Sequence, residues 1–149
     1  KDTICAVRTA DCWPVLLADK NGHWVAAIHC GWRSLFQNII RKTFQKLKAN
    51  PQYTQAYLGP CIQAAAYEVD ADFVTNFLHG HPDCGDAFSD IDNGKSHANL
   101  QQIARQQLNS LGINDIVASP DCTFAMADQY HSWRRDQSTK RMATLIWMN

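Results

Sequence analysis

The sequence predicts an α/β-type layered fold (of the α+β kind), in which a mixed β-sheet with antiparallel hairpins is packed by helices. Two observations support this prediction. Short apolar runs, bounded by Gly, Pro and Asn, are interspersed with longer segments of helical period. The dipeptide Asn21-Gly22, a strong hairpin signal, joins two of the apolar runs. With 46% hydrophobic and 19% charged residues, the chain can also bury a core.

The apolar runs are interpreted as strands. The second run has Pro14 near its start, where a missing N–H does least harm to a strand. The turn at Asn21-Gly22 leads directly into the third run, so we expect the second and third strands to pair antiparallel. In chain order, the predicted strands are residues 4–7, 13–18, 24–30, 56–58, 113–118 and 142–148.

Three further segments place their apolar residues on one helical face. The first helix follows Gly31, and Ser34, Asp70 and Ser96 are the candidate caps of the three helices. The first helix should stop near residue 50, the second should run through residue 78, and the third should close at residue 112. Residues 80–95 are rich in Gly, Asp, Pro and Ser, which predicts a long loop.

The balance of charge excludes several classes of partner. Lys plus Arg and Asp plus Glu each total 14, and no long run of one sign occurs. Such a chain has no electrostatic footprint for DNA, RNA or an anionic lipid surface. No apolar stretch of the sequence approaches the length of a membrane span. We therefore expect a small-molecule partner, with no nucleic acid and no membrane, and nothing in the sequence assigns an oligomeric state.

The six cysteines are scattered, and several lie in apolar, strand-like segments. Free thiols pack in such places as small hydrophobic groups, and a chain with a good core does not need disulfides. We therefore expect reduced cysteines in a cytoplasmic protein. The sequence begins with Lys1 rather than Met and enters a strand almost at once, so we also expect that upstream residues have been removed or omitted.

The two ends of the predicted hairpin carry the residues with the most chemistry. In a hairpin that turns at Asn21-Gly22, the numbers of facing residues sum to about 41–43, so we expect Cys12 to lie opposite residues near His29. A thiol beside an imidazole suits either a nucleophilic Cys–His dyad or two ligands of a zinc ion. Arg33 adds a cation, and the N-terminus of the following helix offers N–H groups to an anion such as phosphate.

Motifs along the chain are highly specific in combination. They are TADCWP at residues 9–14, AIHCGWR at 27–33, LGPCI at 58–62, YEV at 67–69, CT at 122–123 and SWRRD at 132–136, followed by Arg141. In this order, and over essentially the whole chain, they resemble the laccase-domain family, once called multicopper polyphenol oxidases. The resemblance implies a single laccase-like domain over residues 1–149 that lacks its N-terminal segment.

The resemblance also implies a metal and an activity. In that family, the residues that match Cys12 and His29 bind zinc together with a second histidine from an upstream motif, which this sequence does not contain. Members are similar to purine nucleoside phosphorylases that also deaminate adenosine, and some bacterial members are linked to the editing of peptidoglycan precursors. We therefore expect Cys12 and His29 to be metal ligands and catalytic residues, with a purine nucleoside and phosphate as substrates. Arg33 or Arg134 should neutralise the phosphate as it attacks C1′ of the ribose, and attack of water on C6 would account for deamination.

A true laccase mechanism is rejected on residue counts. A multicopper oxidase needs a trinuclear cluster held by many histidines as well as a His₂Cys copper site, and six histidines are too few for both. Zinc, the metal that the resemblance implies, is therefore expected, and copper is less favoured. Two other functions stay open. One is a metal-free hydrolase or amidase that uses Cys12 and His29 on an acyl or peptidoglycan-precursor substrate. The other is an inactive fragment or a binding module.

Overall fold

The predicted α/β class is confirmed: strands are interspersed with helices along residues 3–148, the part of the chain that the computed structural model describes. The strands are β1 (Cys5–Thr9), β2 (Trp13–Asp19), β3 (Val25–Cys30), β4 (Thr54–Leu58), β5 (Glu68–Asp70), β6 (Phe88–Ile91), β7 (Lys95–Ala98), β8 (Asp115–Ala118) and β9 (Met142–Ile146). The α-helices are α1 (Trp32–Phe36), α2 (Ile39–Leu47), α3 (Ala71–Gly80), α4 (Leu100–Ser110) and α5 (Trp133–Asp136). Within this part of the chain, no helix has the length and apolar character needed to cross a membrane.

The predicted hairpin forms the centre of the fold. β2 and β3 pair antiparallel across the Asn21-Gly22 turn, and β4 pairs antiparallel with the other edge of β2. β8 then pairs parallel with β4, which gives a mixed sheet of order β3-β2-β4-β8. β1 and β9 form a separate antiparallel ribbon.

One face of the central sheet builds the hydrophobic core. Val15 and Leu17 of β2 are fully buried, whereas the alternate residues Leu16 and Ala18 are half-buried on the opposite face. Burying one such side chain stabilises the fold by about 1.5–3 kcal/mol. Side chains from the helices complete the same cluster, whose fully buried members include Leu35, Ile40, Leu58, Ile103, Leu108 and Ile113.

The prediction of a long loop over residues 80–95 is wrong. The segment contains β6, which pairs with β7, and β5 pairs with the other edge of β7 to give a second sheet of order β5-β7-β6. Ser96 lies in β7, where its hydroxyl donates to Asp90 at 3.0 Å, so it does not cap a helix. α4 is capped instead by Asn99, whose side chain accepts the N–H of Gln102 at 3.0 Å. These strands have three or four residues each, too few to show a clear alternation of apolar and polar residues, so local patterning does not reveal them.

The single helix predicted after Gly31 is two helices. Asn38, at φ 56° and ψ 43°, lies in the left-handed region and separates α1 from α2. Asn adopts this conformation more readily than most residues, and the break lets side chains from both helices reach the core. Ser34 does cap α1, but from its third position: the Gly31 N–H donates to the Ser34 hydroxyl at 2.9 Å. That hydroxyl in turn donates to the backbone carbonyl of His29 at 3.0 Å.

Candidate active site beside the β2–β3 hairpin

The hairpin brings Cys12 and His29 to one face. In its register Trp13 faces Cys30 and Pro14 faces His29, which places Gly31 opposite Cys12 and makes His29 the diagonal neighbour of Cys12. A methyl group added to Gly31 would come within 2.9 Å of Cys12 Sγ, so the sulfur lies on the face that Gly31 shares with His29. The thiol and the imidazole thus point to the same side of the sheet.

The surroundings of this pair favour the neutral forms of both groups. Burial raises the pKa of the Cys12 thiol, the Asp11 charge raises it further, and Arg141 opposes these effects. Partial burial lowers the pKa of His29, and Arg141 lowers it further. Within residues 3–148, neither Cys12 Sγ nor the ring of His29 takes part in a hydrogen bond, so both donor groups are available to a ligand.

The donor set fits zinc in kind but is incomplete in number. A thiolate sulfur and a neutral imidazole nitrogen are the ligands that zinc prefers, and a catalytic zinc site uses three protein ligands and an open position. No group of three His, Cys, Asp or Glu residues that could hold a metal ion occurs among residues 3–148. The part of the chain described here therefore offers two of the required ligands, Cys12 and His29.

Asp11, the residue before Cys12, links the hairpin to the C-terminal part of the chain. It is only 8% exposed and has a left-handed backbone at φ 79°. Its carboxylate accepts hydrogen bonds from the hydroxyls of Thr123 (2.8 Å) and Ser132 (3.0 Å). It also accepts the backbone N–H of Arg134 at 2.6 Å. Asp11 is thus the residue that fixes Arg134 relative to Cys12. No local sequence pattern indicates this role, because all three donors lie more than 110 positions away along the chain.

The two arginines predicted to bind phosphate each lie over an aromatic ring. The guanidinium carbon of Arg33 is 4.2 Å from the centroid of the Trp32 ring, and that of Arg134 is 5.0 Å from the centroid of Tyr67. Arg134 Nη1 also donates to the backbone carbonyl of Glu68 at 3.2 Å. Stacking on a ring orients a guanidinium while leaving its N–H groups free for an anion.

A cavity of about 400 Å³ adjoins this site, and its walls were not predicted from the sequence. Its aromatic and basic lining includes Trp32, Tyr67, Phe73 and Arg134. Burial raises the pKa of the Tyr67 hydroxyl, Arg134 lowers it, and the Cys12 charge raises it, which places Tyr67 within electrostatic reach of Cys12. The cavity reaches from Trp32, the residue after Gly31, to the start of α3, and neither Cys12 nor His29 is among its lining residues.

The helix N-terminus is a poorer anion site than the sequence predicts. α1 has only five residues, and the N–H of its cap residue, Gly31, is already donated to the Ser34 hydroxyl. A short helix carries little of the macrodipole that attracts an anion. Side-chain cations, rather than this helix end, are the available partners for a phosphate.

Comparisons with known proteins give one consistent result. The family model described as multi-copper polyphenol oxidoreductase laccase matches residues 1–149. A Haemophilus influenzae protein named purine nucleoside phosphorylase is 41% identical over 146 residues, which are 97% of this chain and 60% of that protein. The Escherichia coli protein named purine nucleoside phosphorylase YfiH is 38% identical over 147 residues, which are 98% of this chain and 60% of that protein.

Solved structures show the same fold. A Neisseria meningitidis protein, 42% identical, superposes with a TM-score of 0.93 and is matched over 98% of this chain and 60% of that one. YlmD from Geobacillus stearothermophilus, 25% identical, superposes with a TM-score of 0.87 over 98% of this chain and 57% of that one. The chain thus spans about three fifths of the length of these relatives.

Proposed function

Because the chain belongs to the multi-copper polyphenol oxidoreductase laccase family, we propose that residues 1–149 form one laccase-like domain of a zinc-dependent purine nucleoside phosphorylase that also deaminates adenosine. Relatives that match nearly the whole chain are named purine nucleoside phosphorylase, which supports the first activity. The six free cysteines support a reducing, cytoplasmic location.

One observation carries the proposal. Cys12 and His29 share a face of the hairpin, and Gly31, which lies against Cys12 Sγ, is followed by Trp32, a lining residue of the cavity that Arg134 also lines. Asp11, the residue before Cys12, accepts the backbone N–H of Arg134. A thiol, a neutral imidazole and a fixed cation thus belong to segments that are joined next to one cavity, which is the arrangement expected of an active centre.

In phosphorolysis, a phosphate oxygen forms a bond to C1′ of the ribose while the bond from C1′ to N9 of the purine breaks, and the departing base takes up a proton. Arg134 is suited to hold the phosphate, because its guanidinium lines the cavity and forms no salt bridge within residues 3–148. Arg33, stacked on Trp32, supplies a second cation from the neighbouring helix. The pKa of His29 is lowered by burial and by Arg141, which favours the neutral imidazole, the form in which a ring nitrogen binds a metal ion.

A zinc ion held by Cys12, His29 and a ligand from outside residues 3–148 would supply positive charge that favours the Cys12 thiolate and polarises a nucleophile or leaving group. Deamination of adenosine at the same centre forms a bond from water to C6 and releases the amino group as ammonia. The two protons of that water pass to the departing amino group and to N1 of the base.

The raised pKa of Cys12 weighs against the metal-free hydrolase. That mechanism needs a thiolate near neutral pH, which a protonated histidine or another cation normally stabilises. Here burial and Asp11 oppose the thiolate, and the lowered pKa of His29 opposes its imidazolium. Addition of a chelator distinguishes the two mechanisms, because it abolishes turnover only where the metal is needed.

The test is turnover of inosine and of adenosine with phosphate, followed by chromatography of hypoxanthine, adenine and inosine. We expect Cys12→Ala to reduce both activities at least about a hundredfold, since it removes a proposed ligand. Cys5→Ala is the matched control, because Cys5 is also half-buried but lies in β1. Equal turnover by wild type and Cys12→Ala would refute the proposed role of Cys12. Failure of any form of the protein to turn over a nucleoside would instead favour a binding module.

A further inference from the structure

The cavity beside Cys12 has the lining of a site for a planar ligand. We propose that it is the base subsite of the active centre and that it holds the purine by stacking against Trp32. This proposal rests on the proposed function, since the ligand it names is the nucleoside turned over at Cys12 and His29. The volume of about 400 Å³ lies within the range of about 300–1,000 Å³ typical of small-molecule pockets.

The aromatic wall of this cavity is fixed before any ligand arrives. The rings of Trp32 and Phe73 pack edge to face, with centroids 5.1 Å apart and planes at 70°. Arg33 lies over the Trp32 ring, and Phe73 packs in turn on Phe77, which is 2% exposed. A ring held on two sides loses little conformational freedom when a base stacks on it, so the contact favours binding.

The polar groups of the cavity are arranged for the rest of a nucleoside. Asp70 uses Oδ1 to accept the N–H of Phe73 at 2.7 Å, and Oδ2 makes no hydrogen bond within residues 3–148, so it is available to a ribose hydroxyl. Lys95 is paired with Glu68 at the cavity wall, and these two charges offset each other. Arg134 lacks a carboxylate partner in the same part of the chain, so it is the cation left for phosphate.

These groups set the direction in which the substrate lies. Two pairs of packed side chains line the cavity: Trp32 packs on Phe73 of α3, and Arg134 packs on Tyr67. Asp11, the neighbour of Cys12, accepts the backbone N–H of Arg134. A base stacked on Trp32 would therefore direct C1′ of its ribose towards Arg134 and Cys12. A purine should bind more tightly than a pyrimidine, because its two fused rings cover more of the indole.

The test measures binding apart from turnover. Without phosphate, inosine cannot be phosphorolysed, so titration calorimetry of inosine into the purified protein reports its dissociation constant alone. We expect Trp32→Ala to raise that constant between about fivefold and 150-fold, the range for loss of one base-stacking contact. Trp32→Phe should lose less, because it retains a ring. Trp147→Ala is the matched control, since Trp147 is 58% exposed and does not line the cavity.

Each outcome separates the subsite from the activity. The proposed subsite would be refuted, even if phosphorolysis proceeds, by an unchanged dissociation constant for inosine in Trp32→Ala. Equal affinities of the wild type for inosine and uridine would refute it as well. If Trp32→Ala binds inosine more weakly than the wild type but the wild type forms no hypoxanthine with phosphate, the subsite is supported and the proposed activity is refuted. Circular dichroism checks that the variants fold, and if Trp32→Ala does not fold, Trp32→Leu carries the same expectation because it keeps apolar bulk without a ring. A wild type that binds no inosine at millimolar concentration would overturn the subsite outright.

Discussion

Substitution of Gly31 by alanine should displace the Cys12 sulfur without any other direct effect. Gly31 has φ −89° and ψ 172°, an extended backbone that alanine adopts freely, and its N–H bond to Ser34 would be retained. The new methyl group would lie 2.9 Å from Cys12 Sγ, and ordinary contact begins at 3.4 Å, so the two atoms must separate by about 0.5 Å. Zinc sites tolerate deviations of about 0.2 Å in ligand distance, so the shift disturbs metal binding.

Two measurements follow from that displacement. Overpacking of this kind destabilises a protein by about 1–3 kcal/mol, which urea unfolding of Gly31→Ala should show. The affinity for zinc, measured by competition with a chromophoric chelator, should fall by about 10–100-fold. This is the usual effect of substitutions that leave the metal ligands in place but disturb their orientation. Gly85→Ala is the matched control, because a methyl group there meets nothing within 4 Å.

The double variant Cys12→Ala/Gly31→Ala identifies the source of the effect. With the sulfur removed, the nearest atom to the new methyl group is Cβ of residue 12 at 3.8 Å, an ordinary contact. The alanine at position 31 should then be neutral or stabilise the protein by about 0.4–1 kcal/mol through the unfolded state. If Gly31→Ala destabilises both backgrounds equally, or leaves stability and zinc affinity unchanged, the placement of Cys12 against Gly31 is incorrect.

Two further predictions concern the groups around the site. Asp11→Asn keeps a residue that tolerates the left-handed backbone, but its NH₂ group would face hydrogen-bond donors. The free energy of unfolding in urea should therefore fall by about 2–4 kcal/mol, and KM for phosphate should rise because Arg134 is released. An unchanged free energy of unfolding would contradict the role given to Asp11. The hydrogen bond from Lys95 lowers the pKa of the exposed Glu68, so Lys95→Met should raise that pKa in a carboxyl NMR titration. Because the folded-state pKa is depressed, the pair contributes stability above the usual pKa of Glu68 and loses it as the pH falls through the depressed value. A Glu68 titration that does not change in Lys95→Met would show that the pair is not formed in solution.

Features encoded by neighbouring residues could be predicted from the sequence. The Asn21-Gly22 turn fixes the pairing of β2 with β3, so Cys12 and His29 were placed together from spacing alone. The cap at Asp70 was also found, because its side chain bonds to an N–H three residues away. Such signals are local and depend on residue types with a strong conformational preference.

Features that depend on tertiary contacts could not be predicted in this way. β5, β6 and β7 are too short to show alternation and exist because they pair with one another. The break at Asn38 falls inside a continuous helical pattern, and only the packing of both halves on the core explains it. The cavity at Trp32 is likewise lined by segments that meet only in the folded protein, so the hydrophobic periodicity of the sequence does not predict it.

The hydrogen bonds of Asp11 have a consequence for the order in which the site assembles. They join residues 112, 121 and 123 positions apart, and closing a loop of that length costs about 4 kcal/mol of chain entropy before any contact is made. The β2–β3 hairpin closes a short loop and is far faster to form. We therefore expect the hairpin to bring the thiol and the imidazole together before the long-range contacts that place Arg134 are formed. Arg134 lies in a helix of four residues, whereas β2 is paired on both edges, so the backbone amide of Arg134 should exchange its hydrogen sooner than the amides of β2. Protection of that amide would report closure of the finished site.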